Sequence, residues 1–200
     1  MSNDFFENKA NTYEQDFNRV SNVERIASGI LKDIKFNSKM NILDFGSGTG
    51  LLLEQIAPEV NSITAVDISK SMNEQLAKKK TNLECELEII EMDLTTSDLD
   101  STFDGIISSM TMHHVKDIQA MFNKFHSMLN PQGFIAIADL ETEDGSFHQE
   151  DTGVFHFGFS ESDLAEFASK AGFKHINISH VSTVQKPYGG YPVLLLTATV

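Results

Sequence analysis

Residues 41–50 read NILDFGSGTG: an apolar run interrupted by an acid, then three glycines on alternate positions. The run has the composition of a strand, and LLLEQIA at 51–57 has the spacing of a helix. Glycine inside a regular element costs about 0.5–1 kcal/mol relative to alanine. Three in five residues therefore point to a turn whose backbone closely approaches something bound.

The same alternation continues along the chain. SITAVDI (62–68) precedes the helical SKSMNEQLAKKK (69–80), and ELEIIEM (86–92) leads through the polar link DLTTSDLDST to FDGIISSM (103–110). DIQAMFNKFHSML (117–129) is helical up to Asn130-Pro131, and GFIAIADL (133–140) is the fifth strand. Continuous apolar runs suit strands buried on both faces, and strand–helix alternation implies a parallel sheet with right-handed crossovers. The tail breaks this rhythm. Ser160 and Asp163 have capping-box spacing, Gly172 is a helix C-cap, and HINISHVSTVQK (175–186) and YPVLLLTATV (191–200) close on PYGG as an antiparallel pair. The expectation is a single domain over 1–200 with an α/β, doubly wound, seven-stranded, mostly parallel sheet and an antiparallel C-terminal strand. Residues 1–37 read as an N-terminal helical cap, and 141–159, ETEDGSFHQEDTGVFHFGF, as a long lid segment on the substrate side.

Charge narrows the partners. With 15 Lys+Arg against 29 Asp+Glu the formal charge is −14, which repels a phosphate backbone, and the Lys78–Lys80 triplet reads as a helix C-terminus rather than a basic patch. No nucleic acid is expected. Cys85 is the only cysteine, so no intramolecular disulfide forms. The opening MSNDFFENKANTYEQDF lacks the layout of a signal peptide, and no apolar stretch approaches the roughly 18 residues of a membrane helix. The expectation is a cytoplasmic protein without a membrane partner, monomeric or homodimeric.

The turn at 46–50 falls after the first strand of a doubly wound sheet, where ligands bind beyond the carboxyl ends of the strands. Asp67, at the end of the second strand, suits the two hydroxyls of a ribose, which indicates a nucleoside-containing cofactor. A dinucleotide turn runs G-x-G-x-x-G/A, whereas here the glycines fall at G-x-G-x-G and the sixth position is the bulky Leu51. Asp44 faces the turn and suits an ammonium better than a pyrophosphate. A ligand with an amino-acid end and a nucleoside end fits both acids.

DFGSGTG (44–50), AVDIS (65–69), EMDL (91–94), FDGIISSMTMHHVKD and LNPQGFIAIADL together resemble the motifs of class I S-adenosylmethionine-dependent methyltransferases. The resemblance is strong over about 36–140 and extends through the hairpin to Val200. It implies S-adenosyl-L-methionine as cofactor and, as ligand residues, Gly46, Ser47, Gly48 and Gly50 at the methionine part with Asp44 near its amino group. Asp67 would hold the ribose and Ile68 lie on the adenine, with Asp93 accepting from the adenine amino group beside Leu94. Ser109 and Met110 would lie near the methionine end, under a cover from Tyr13. Two rivals stand beside it: a nucleotide-cofactor oxidoreductase on a similar sheet, and a non-catalytic cofactor-binding domain.

Methyl transfer needs alignment above all, and a base only where the acceptor arrives protonated. The strand ends offer His113, His114 and Asp139, and the lid segment offers His148 and His156; His113, His114 and His156 are the catalytic candidates. The expected acceptor is a small molecule, roofed by Phe155, Phe157 and Phe159. No histidine pair has metal-site spacing, so no metal is expected.

Overall fold

The computed structural model describes residues 4–7, 9–148 and 152–200. Ile42, Leu43, Asp44 and Phe45 are all buried, as suits β1 (Asn41–Phe45), an interior strand of the sheet with a parallel neighbour on either side. These are β2 (Ser62–Asp67), followed outward by β3 (Glu86–Glu91), and β4 (Phe103–Ser109), followed by β5 (Leu129–Leu140). The hairpin of β6 (Lys174–Lys186) and β7 (Gly189–Thr199) joins through β7, which pairs antiparallel with both β5 and β6. The order is β3-β2-β1-β4-β5-β7-β6, so β7 alone is reversed, as the sequence pattern implies.

Helices cover both faces. On one face α1 (Phe17–Asp33), α2 (Leu51–Ile56) and α3 (Lys70–Lys79) bury Ile26, Ile30, Leu53, Ile56 and Leu76 against Ile42, Ile63 and Val193. On the other, α4 (Ile118–Ser127) and α5 (Glu161–Ala171) bury Phe122, Phe125 and Leu164 against Leu43, Ile106 and Leu196. Each such side chain contributes about 1.5–3 kcal/mol on burial. The helix signals act locally: Asp16, Ser69, Asp117 and Ser160 each accept backbone N–H bonds at a helix start, and Gly172 ends α5 in the left-handed conformation.

Three boundaries differ from expectation. The N-terminal cap divides into a 3-10 turn, Ala10–Gln15, and α1. Asn130-Pro131 lies within β5, whose pairing with β4 skips from Phe103↔Leu129 to Gly105↔Phe134 because proline has no N–H for the ladder. Gly105 is needed at that step, since the Phe134 ring lies where a Cβ would stand. The hairpin turn contracts to Pro187-Tyr188, with both glycines already in β7. Among the described residues no helix is long and apolar enough to cross a membrane.

Candidate active site

The carboxyl ends of β1 and β4 open into a cavity of about 370 Å³ between the glycine turn, α1, the end of β6 and the segment after β5. The turn is shaped by left-handed glycines, with φ of 69° at Gly46, 54° at Gly48 and 92° at Gly50. Gly46 N–H donates to the Val66 carbonyl at 2.8 Å, and Gly48 N–H donates to Asp67 Oδ2 at 2.8 Å. A side chain at Gly46 would run into Thr111, whereas a Cβ at Gly48 would meet nothing within 4 Å. Gly46 is a packing glycine. Gly48 is open towards the cavity.

Asp44 lies beneath this turn, 1% exposed, and its Oδ2 has no hydrogen-bond partner among the described residues. Burial, with Asp67 nearby, pushes its carboxyl up to about 8. A buried polar atom left unpaired is costly unless a ligand group meets it. Ser47 Oγ, Thr49 Oγ1, Ser109 Oγ and Asn22 Oδ1 are likewise buried and unpaired, and all belong to residues lining the cavity. Asp67 uses Oδ2 for Gly48 and Oδ1 for the Ser69 N–H at 2.8 Å, and burial raises its carboxyl against those bonds. Met110 closes the end of β4 with φ of 58°, unusual for a side chain of its size, and its N–H donates to Ala138.

The opposite wall is made of histidines. His113 is buried; its Nδ1 lies 2.6 Å from Asp139 Oδ1 and its backbone N–H donates to Asp139 Oδ2 at 3.2 Å. Burial pushes the Asp139 carboxyl up, but the adjoining His113 ring and the hydrogen bonds from His113 and Leu140 outweigh it and hold the group below the usual carboxylate range. A carboxylate at Nδ1 fixes the proton there and leaves Nε2 as the basic nitrogen of the neutral ring. His114 and His148 stand beside it, with ring centroids 4.3 and 5.1 Å from His113. Burial, and then the neighbouring His113, pushes each down to about 4, so both are neutral at pH 7.

Of the residues expected at the site, Tyr13, Asp44, Gly46, Ser47, Gly48, Ser109, Met110, His113 and His114 line this one cavity. Gly50 and Asp67 support its turn from behind. Ile68 is 53% exposed beyond Asp67, and Asp93 turns Oδ1 onto Thr95 N–H and Oγ1. Three expectations require correction. Leu94 is buried in the core beneath β4 and α4, because the link after β3 folds inward there. His156 does not line the cavity; its Nε2 bonds to the Val115 carbonyl at 3.0 Å. Phe155 and Phe157 are exposed and Phe159 is core, so the roof is made instead by Phe147, His148 and Thr152, earlier in the same segment. Residues 149–151 of that segment, and 1–3 and 8 of the N-terminal one, lie outside the described residues. Asn22, absent from the expected set, had a signal: a polar residue at the head of the apolar stripe Asn22, Ile26, Ile30 on α1. Among the described residues no group of three or more metal-ligating side chains is placed to hold an ion.

A family model described as a methyltransferase domain matches residues 17–178. The chain belongs to the methyltransferase family. A relative in Schizosaccharomyces pombe, described as an uncharacterized methyltransferase, is 31% identical over 74% of this chain and 57% of its own length. The chain spans a little over half the length of the curated relatives it matches first. Among solved structures, the chain bound to the Haloferax volcanii Trm112 methyltransferase activator aligns with a TM-score of 0.78 at 15% identity, covering 100% of this chain and 99% of that one. Magnesium protoporphyrin IX methyltransferase from Synechocystis, solved with S-adenosylmethionine bound, aligns at 0.65 with 15% identity over 91% and 79%. These likenesses are of fold. The mostly parallel seven-stranded sheet with its antiparallel C-terminal strand agrees with the family match.

Proposed function

We propose that this chain transfers the methyl group of S-adenosylmethionine to a small-molecule acceptor in the cavity at the carboxyl ends of β1 and β4. The observation that carries this reading is the buried carboxyl of Asp44, its Oδ2 without a partner among the described residues, in the wall of the same cavity as His113 of the His113–Asp139 pair. Asp44 would take the cofactor's amino group, with the Gly46–Gly48 backbone and the Ser47 and Ser109 hydroxyls beside it. Asp67 keeps lone pairs for the ribose hydroxyls, Ile68 offers an exposed apolar surface for the adenine, and Asp93 keeps Oδ2 to accept from its amino group. The cofactor supplies a methyl group already activated on a sulfonium.

The protein's part is then alignment, exclusion of water and, for a protonated acceptor, removal of a proton. His113 Nε2 would accept the proton that the acceptor's heteroatom loses as it takes the methyl group, while Asp139 holds the ring and offsets the charge it gains. His114 and His148, both pushed down to about 4, are poor bases at neutral pH and serve as neutral hydrogen-bonding walls. Incubating the protein with methyl-labelled cofactor and a cell metabolite extract tests this. Labelled product below the size of a protein is expected, and its loss in His113→Asn; label found only on macromolecules, or undiminished in the variant, contradicts it.

A further inference from the structure

The cavity has a second polar end that methyl transfer itself leaves unused. His148 Nε2 is buried there without a partner, while its Nδ1 lies 3.2 Å from the Thr152 hydroxyl. A neutral ring whose Nδ1 accepts that hydroxyl proton presents Nε2–H as a donor. Next to it, Phe147 meets the His148 ring edge-on at 4.8 Å between centroids. Lys186, the last residue of β6, holds its Nζ 4.8 Å from the centroid of the Phe147 ring. Phe147, His148, Thr152 and Lys186 all line the cavity. Among the described residues no acid pairs with Lys186. Arg19, also on the wall, is by contrast matched by Asp16 at 3.5 Å.

An uncompensated ammonium is unexpected in a chain whose 29 acids outnumber 15 bases. Held over an aromatic face beside an unpaired N–H donor, it has the chemistry of an anion receptor. We propose that Lys186 and His148 form an anion subsite for the acceptor, which carries a carboxylate or phosphate group bound between the ammonium and Nε2–H. The subsite rests on the preceding reading of the cavity as a methyl-transfer site and adds the class of acceptor. Burial keeps the His148 ring neutral, with the neighbouring His113 and His114 and then the same ammonium adding to it, against the pull of Asp139.

The test follows the His148 ring resonances of the whole protein, saturated with S-adenosylhomocysteine, on titration with sodium benzoate, phenyl phosphate or neutral benzamide. Saturable shifts with at least one of the two anions and none with benzamide are expected, and the tighter anion tells carboxylate from phosphate. Lys186→Gln should weaken that binding by about tenfold or more, the scale of one charge-assisted hydrogen bond, with S-adenosylhomocysteine affinity unchanged. If neither anion moves His148, if benzamide moves it as much, or if Lys186→Gln binds as the wild type does, the subsite does not exist. Failure of S-adenosylhomocysteine to bind in a separate calorimetric titration would strike the cofactor reading, while the anion titration still decides the subsite.

Discussion

Asp139, near the end of β5, holds His113, beyond the end of β4, through both oxygens: one at 2.6 Å from the ring Nδ1 and one at 3.2 Å from the backbone N–H. The two contacts fix the ring and its tautomer at once. Asp139→Asn should therefore lower kcat for a protonated acceptor by about 10²–10⁴, the usual contribution of a general base, while cofactor affinity stays near wild type. His113→Asn should do the same, and the double variant should cost little more than either single one, because the pair acts as a unit. Steady-state kinetics with parallel calorimetry check this.

Asp44 makes the free protein's stability depend on pH with a definite sign. Its carboxyl is pushed up to about 8 in the folded chain, far above an unfolded aspartate, so between about pH 4 and pH 8 the folded state holds a proton that the unfolded state has lost. This contribution is fully present below the unfolded value and is lost as pH rises towards 8. Asp44→Asn removes the dependence. At pH 8 the variant's melting temperature should exceed wild type by several degrees, and the gap should close towards pH 4. A gap that stays constant across that range contradicts the burial of an unpaired carboxyl here.

The glycine turn separates packing from binding. Gly46→Ala drives a methyl into Thr111 at a φ of 69° and should cost stability by about 2–3 kcal/mol. Gly48→Ala also sits at positive φ, 54°, but meets open space. Its stability cost should be about 1 kcal/mol, with a much larger loss of cofactor affinity. Denaturant unfolding and ligand titration on both variants separate the two effects.

His156 and Phe157 do not line the cavity. Phe157→Ala should leave turnover and cofactor affinity within about twofold of wild type, as for other surface positions. His156→Ala loses the bond to the Val115 carbonyl and should lower the melting temperature by about 2–4 °C without changing turnover. Phe147→Ala, in the wall of the cavity, should raise the acceptor KM.

What could be read from the chain before its fold was whatever chemistry is local. Asp44, Gly46, Gly48 and Asp67 are legible because an acid, a glycine turn and a second acid at successive strand ends have one main use in a parallel sheet. Asn22 was missed, although a polar residue on an apolar helical stripe is a signal that could have found it. The roof was not. Phe147 and Lys186 meet only because the β6–β7 hairpin returns beside the segment after β5, and no spacing encodes that return. Leu94 and His156 were misplaced for a related reason: both lie in links without periodicity, where the face a side chain takes is decided by what it packs against. Gly105 carries no signal until Phe134 is laid across it.

The most direct test of the account is calorimetric titration of S-adenosylmethionine and NAD into wild type and Asp44→Asn, in buffers of different ionisation enthalpy at pH 7. A cofactor ammonium meeting Asp44 must drive off the proton that burial keeps there, so S-adenosylmethionine should bind with proton release in wild type. Binding to the variant should be weaker by about tenfold or more, in keeping with a lost charge-assisted bond, without proton release, and NAD should give no heat. Equal affinity in the two proteins with no proton release in either, or binding of NAD, would contradict it.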